Sequence, residues 1–214
     1  MATILVIGAS QGIGLETVKA ALAAGHTVRA FSRSAPKIAI EDARLTKIAG
    51  DALSGADVRG ALSGTDAVVQ AIGLPMGAEL LTGTTLFSES TRVLVAAMPA
   101  PGPKRLVTVT GAGAGDSRGR LGLLYSLAFT AFLARAYNDK DVQERIIRSS
   151  PLDWTIVRPG ILRDGPATKR ARALVNPSQW RGGPGSPPPR GRLPARASAP
   201  RGRPEPGRPL DDGD

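Results

Sequence analysis

The chain contains no cysteine, which excludes disulfides, thiolate metal sites and cysteine nucleophiles together. It has one histidine, His26. A single imidazole beside a turn reads as a solvated connector residue, so no metal site is expected. Aromatic residues make up only 4% of the chain, too few to interleave with cations as stacking nucleic-acid grooves require. Long apolar runs are also missing. Residues 121–134, LGLLYSLAFTAFLA, fall short of the roughly 18 residues a membrane span needs and read as a buried helix. The opening MATILVIGAS has no basic stretch ahead of its apolar run, so a cytoplasmic chain without a leader peptide is expected.

What is plentiful is positive charge, at a formal +10. Residues 1–182 carry 22 Lys and Arg against 14 Asp and Glu, and residues 183–214 carry 6 against 4. Cations and acids are interleaved through the body, a pattern that fits a surface around a small anionic ligand and argues against a nucleic-acid partner. A chain of 214 residues holds one domain with a full core.

Residues 3–33 organise that domain. The run TILVI is β-branched and apolar throughout, as a strand buried on both faces of a parallel sheet must be. Gly8, Gly12 and Gly14 follow, then an amphipathic helix and a second strand over residues 27–31. Gly8 lets the chain turn out of the strand, Gly12 leaves room for a pyrophosphate against the backbone, and Gly14 lets the helix lie close to the sheet. The amides of Ser10, Gln11, Gly12 and Ile13 then face the phosphates at the positive end of the helix. This β-α-β context predicts dinucleotide binding. The predicted architecture is α/β, a Rossmann-type doubly wound parallel sheet in the strand order 3-2-1-4-5-6.

The G-x-x-x-G-x-G spacing resembles the nucleotide loop of the short-chain dehydrogenase/reductase superfamily. Where the second strand ends, an acid would favour the ribose hydroxyls of NAD. This chain instead has Ser32 and Arg33 with Lys37 close behind, a hydroxyl and two cations that suit the 2′-phosphate of NADP(H). A third strand is read over residues 45–49. Asp51 beyond it, next to Ala52, either accepts from the adenine amino group, as the resemblance implies, or caps the following helix. A fourth strand over residues 67–72 should bring Ala71, Ile72 and Gly73 to the point where sheet order reverses, beside the nicotinamide ribose. A helix over residues 84–98, a fifth strand over 105–110, a glycine-rich loop over 111–120 on the substrate side and a sixth strand over 153–157 complete the domain.

Glycine loop, basic end of the second strand, Gly50-Asp51, Lys140 and Arg158-Pro159-Gly160 occur in order. Together they resemble the atypical short-chain branch that includes NmrA-like regulators and the flavin reductase/biliverdin-IXβ reductase group, over residues 2–182. The resemblance implies an NADPH-dependent reductase that passes hydride to a flavin- or quinone-like ring. The alternative is a non-catalytic NADP-binding redox sensor. Conventional members carry a Tyr four residues before the Lys. Here Ala136 stands at that place and Tyr137 is three before Lys140. The candidate catalytic residues are Thr110, Tyr137 and Lys140. Lys140 is also a candidate for the nicotinamide ribose, and Pro159 for the pocket wall. Gly160 follows the proline where the biliverdin reductases imply a His, which turns the expectation away from tetrapyrroles. A small-molecule acceptor is thus the expected partner, and the chain is read as a monomer by default.

From Gly183 the composition changes to 9 Pro and 6 Gly in 32 residues, with no Ile, Val, Phe or Met. Such a segment cannot bury enough apolar surface to offset its ordering entropy, so residues 183–214 are expected to be a disordered tail outside the 1–182 domain. It reads either as a frameshift product of a GC-rich gene or as a linker-like tail.

Overall fold

The opening β-α-β unit forms as the pattern requires, from β1 (Thr3–Ile7), α1 (Gly12–Ala23) and β2 (Thr27–Phe31). This is a computed structural model, and it describes residues 1–74, 83–98, 102–112, 114–115 and 134–159. The continuation is β3 (Leu45–Ile48), α2 (Gly55–Leu62), β4 (Ala67–Gln70), α3 (Leu86–Ala97), β5 (Arg105–Val109), α4 (Ala134–Arg148) and β6 (Asp153–Val157). The six strands form one sheet, all pairs parallel, in the order β3-β2-β1-β4-β5-β6. That is the architecture expected from the sequence.

Alternation along β1 shows why its sequence is apolar without interruption. Leu5 and Ile7 join one core with Phe31, Val58, Leu94, Leu106 and Ile147, under α2, α3 and α4. Val6 points to the other face and meets Val18 and Leu22 of α1 with Val28 and Ala30 of β2. A strand between two parallel neighbours and two apolar layers has no face left for a polar residue. A polar knot also lies under α3 and α4. Gln70 of β4 accepts from Thr91 Oγ1 at 3.1 Å and from Gln143 Nε2 at 3.3 Å, and Gln143 donates to Thr91 at 3.1 Å. Bonds of this kind, made where water is excluded, fix the two helices in register with β4.

Several boundaries differ from the expectation. β4 stops at Gln70, with only the Ala71 amide still reaching the Ile7 carbonyl at 2.9 Å. Past that bond, Ile72 and Gly73 are free of the ladder. β3 ends at Ile48 and β5 at Val109. α3 starts at Leu86, because Thr84 Oγ1 accepts from the Leu86 amide at 3.1 Å and sets the first turn there. His26 is half-buried, and its Nδ1 accepts from the Ala2 amide at 3.3 Å, so it ties the amino terminus to the turn instead of standing in solvent. The proposed helix over 121–134 falls mostly outside the described residues, as do most of the 111–120 loop, Gly160 and the 183–214 tail.

Candidate functional site

The carboxyl ends of β1, β2, β4 and β5 open into one cleft of about 1710 Å³. Its middle is the turn after β1. Gly8 has φ +83, and a Cβ there would strike the Ala71 carbonyl, so the turn packs directly against the end of β4. Gly12 has φ +53, and a Cβ there would meet nothing, because it faces the open cleft. Gly14 is inside the protein, where a Cβ would overlap the Gly8 carbonyl.

The helix ends around this cleft are not equivalent. α2 is capped by Ser54, whose Oγ accepts from the Asp57 amide at 3.3 Å. α3 is closed from outside by Asp139 of α4, whose Oδ2 accepts from the amides of Phe87 at 2.8 Å and Ser88 at 3.2 Å. α1 has neither device. Its N-cap Gln11 makes no side-chain bond, and its first turn holds no acid. Of these three N-termini, the one beside Gly12 keeps its amides and positive dipole end for a ligand.

At the β2 end, Ser32 Oγ is buried without a hydrogen-bond partner. Arg33 beside it is exposed and, among the described residues, pairs with no acid. Both line the cleft. Lys37 sits in the short 3-10 turn Ala35–Lys37, exposed and off the lining. Asp51 does not cap α2, the alternative the sequence left open, because Ser54 does. Its Oδ1 instead accepts from the Leu53 amide at 3.0 Å, so the carboxylate organises its own turn at the rim beside Ala52.

At the β5 end, Lys140 Nζ donates to the Thr110 carbonyl at 3.0 Å and lies 4.0 Å from the centre of the Phe87 ring. Burial lowers its pKa to about 8, against the opposing pull of Asp139 and Glu144. The Thr110 hydroxyl donates to Glu144 Oε1 at 2.9 Å. Glu144 is 1% exposed and also accepts from both Arg158 Nε, at 2.8 Å, and Arg158 Nη2. The loop after β5 is pinned below them by the Gly115 amide on Asp141 Oδ1 and the Ala112 amide on the Pro159 carbonyl.

The structure thus brings Gly8, Ser10, Gln11, Gly12, Ile13, Ser32, Arg33, Asp51, Ala52, Ala71, Ile72, Gly73, Thr110 and Lys140 to one cleft. It leaves Gly14, Lys37, Tyr137 and Pro159 off the lining. Tyr137 lies against the first residue past Thr110, since a Cβ on Gly111 would strike its hydroxyl. Asp139, Leu53, Thr84 and Thr85 line the cleft without having been read from the sequence. Leu53 follows Asp51 closely enough to have been suspected, whereas nothing local marks Asp139. Among the described residues, no group of three His, Asp or Glu could hold a metal ion.

A nicotinamide dinucleotide fits what is present: uncapped amides for its pyrophosphate, space at Gly12 and an unpartnered buried hydroxyl at Ser32. The sequence matches the NAD(P)H-binding family over residues 8–186. The fold is similar to that of ChuY, an anaerobillin reductase from Escherichia coli O157:H7, at a TM-score of 0.65 and 29% identity over 81% of this chain and 80% of that one. It is similar also to the oxidoreductase ylbE from Lactococcus lactis, at 0.64 and 19% over 78% and 72%. A short-chain dehydrogenase/reductase from Veillonella parvula in complex with NADP gives 0.63 and 19% over 77% and 72%. The last two likenesses speak for the fold.

Proposed function

The chain belongs to the NAD(P)H-binding family, and from that premise we propose that it is an NADPH-dependent reductase passing hydride to a flavin- or quinone-like ring. The observation that carries this reading is the continuity of the cleft, which runs from Ser32 and Arg33 past the uncapped end of α1 to Thr110 and Lys140. When bound, the nicotinamide supplies the hydride. The rest is positioning by the chain.

In this reading the amides of Ser10 to Ile13 hold the pyrophosphate and Gly12 lets it approach. Arg33 and Ser32, with Lys37 on the neighbouring turn, take the 2′-phosphate. Asp51 and Ala52 border the adenine, and Ala71, Ile72 and Gly73 border the nicotinamide ribose. Lys140 donates to that ribose, and Pro159 holds the wall beyond. In this reading Tyr137, set against Gly111, and Thr110, whose proton points to Glu144, are not the acid that protonates a substrate. An acceptor ring that is already electrophilic needs no such acid, because water supplies the proton. A cytoplasmic chain with a small-molecule partner accords with this. Among the described residues no helix is long and apolar enough to cross a membrane.

Two observations favour neighbouring readings. The same lack of a poised acid suits a non-catalytic redox sensor of NmrA-like type. The likeness to an anaerobillin reductase supports a bilin as acceptor in place of the flavin or quinone, although Gly160, outside the described residues, departs from the biliverdin reductase pattern. One experiment separates them. NADPH and NADH are titrated against cofactor fluorescence, then FMN, a quinone or a bilin is added and the nicotinamide absorbance followed. Tight NADPH binding with oxidation by one of these supports the reductase. Binding with none oxidised leaves the sensor, and preference for NADH would overturn the phosphate assignment.

A further inference from the structure

Adjacent residues of α4 grip a single residue of α3 from two directions. Asp139 Oδ2 holds the backbone amide of Phe87 at 2.8 Å, and the Lys140 ammonium lies over the Phe87 ring, 4.0 Å from its centre. All three are inside: Phe87 is 2% exposed, Asp139 6% and Lys140 9%. The ammonium donates on another side to the Thr110 carbonyl at 3.0 Å, and the side chain still lines the cleft. A long flexible cation is thereby confined between a ring face, a carbonyl and the ligand space.

We propose that Phe87 is a positioning residue whose ring face holds the Lys140 ammonium at the β5 end of the cleft, with Asp139 fixing the ring through its backbone. Helical spacing alone asks only for an apolar side chain at this place. A Leu would fill the volume but would present no negative π face to a cation. The groups facing Lys140 are few. Asp139 and Glu144 of α4 favour its charged form. The residue just past β5 contributes the Thr110 carbonyl, α3 contributes the ring, and Arg158 beyond β6 is turned to Glu144. Burial opposes them all, and weakening the ring face removes one of the contacts that hold the ammonium against it.

The test replaces Phe87 with its mono-, di- and trifluoro analogues, which weaken the ring face while nearly keeping its shape, and with Phe87→Leu. The Lys140 ionisation is read by NMR of protein labelled at the lysine ε-carbon, with Lys140→Arg to assign the signal. The midpoint is expected to fall stepwise through the fluorinated series, by about half a unit or more at the end, as the loss of a partly buried cation–π contact implies. An unmoved midpoint across the series overturns the proposal even if Phe87→Leu does not fold. The dissociation constant for NADPH, measured on the same proteins, tests the separate reading on which the ligand end of the proposal rests. A shifted midpoint with several-fold weaker NADPH supports both. A shifted midpoint with unchanged NADPH affinity keeps the clamp and removes Lys140 from the cofactor ribose.

Discussion

The Thr110 hydroxyl donates to Glu144 across 2.9 Å, and it has no other choice, because a carboxylate already paired with Arg158 can only accept. In the proposed reading the residue just past β5 is therefore a held structural donor, and the substrate's proton comes from elsewhere. Thr110→Val should change the rate of acceptor reduction by no more than about threefold, whereas loss of a general acid would cost about a hundredfold or more. The same variant should lose about 1 kcal/mol of stability in urea unfolding. Glu144→Gln should lose about 3 kcal/mol, since it leaves Arg158 partly buried without its counter-charge. A Thr110→Val rate in the hundredfold range would return Thr110 to the chemistry.

The glycines of the first turn should separate binding from folding. Gly12→Ala meets no atom, and its positive φ costs about 1 kcal/mol, yet its methyl enters the space proposed for the pyrophosphate. Calorimetric titration should show NADPH affinity falling at least about tenfold with the fold retained. Gly14→Ala should unfold the protein or lower its melting temperature sharply, because the methyl overlaps backbone that cannot yield.

Arg33 decides between the two nicotinamide cofactors in this reading. Arg33→Ala should reduce the preference for NADPH over NADH about tenfold or more, through the NADPH term alone, because a charge-assisted bond to phosphate is lost. Ser32→Ala should do the same more weakly. Equal loss for both cofactors would mean that these residues support the turn and do not read the phosphate.

Burial of Lys140 makes stability depend on pH in a definite direction. The unfolded chain keeps this proton up to the ordinary 10.5 and the folded chain only up to about 8. Between these values the unfolded state binds more protons, so this group adds stability as pH rises, on the order of 3 kcal/mol over the window, and adds no slope below about pH 8. Lys140→Met should flatten that rise. The stability of the parent chain relative to this variant, followed by denaturant midpoints, should rise from pH 8 to 10.5, and a constant difference would contradict the assigned burial.

The β-α-β unit was legible because its signals are local: an apolar strand, three glycines and a helix within 31 residues. The sheet order followed from that unit, and so did the bulk of the cleft. The ends of β4 and β5 were overextended, because Ala71, Ile72 and Thr110 are as suited to a strand as their neighbours, and the amides of Ala71 and Thr110 still bond the adjoining strands just where the ladder ends. α4 hid the most. Its sequence ARAYNDKDVQERIIR looks like a solvated helix, yet Asp139, Lys140, Gln143 and Glu144 are all buried. Their partners lie far along the chain, 52 residues away for Asp139 and Phe87 and 34 for Glu144 and Thr110. No periodicity reports a buried acid whose partner comes from another strand or helix. Asp51 was ambiguous for a different reason: its two local readings were equally sound, and only Ser54 taking the cap of α2 removes one of them.

The reversal of sheet growth between β1 and β4 divides the sheet into two wings, with β2 and β3 on one side and β5 and β6 on the other. Ser32 stands at the inner rim of the first wing and Thr110 at the inner rim of the second, and both face the same cleft. A ligand long enough to touch both acts as a cross-brace over the seam. Opening fluctuations at the two rims would then be damped together, so slowed amide exchange at one rim would be matched at the other.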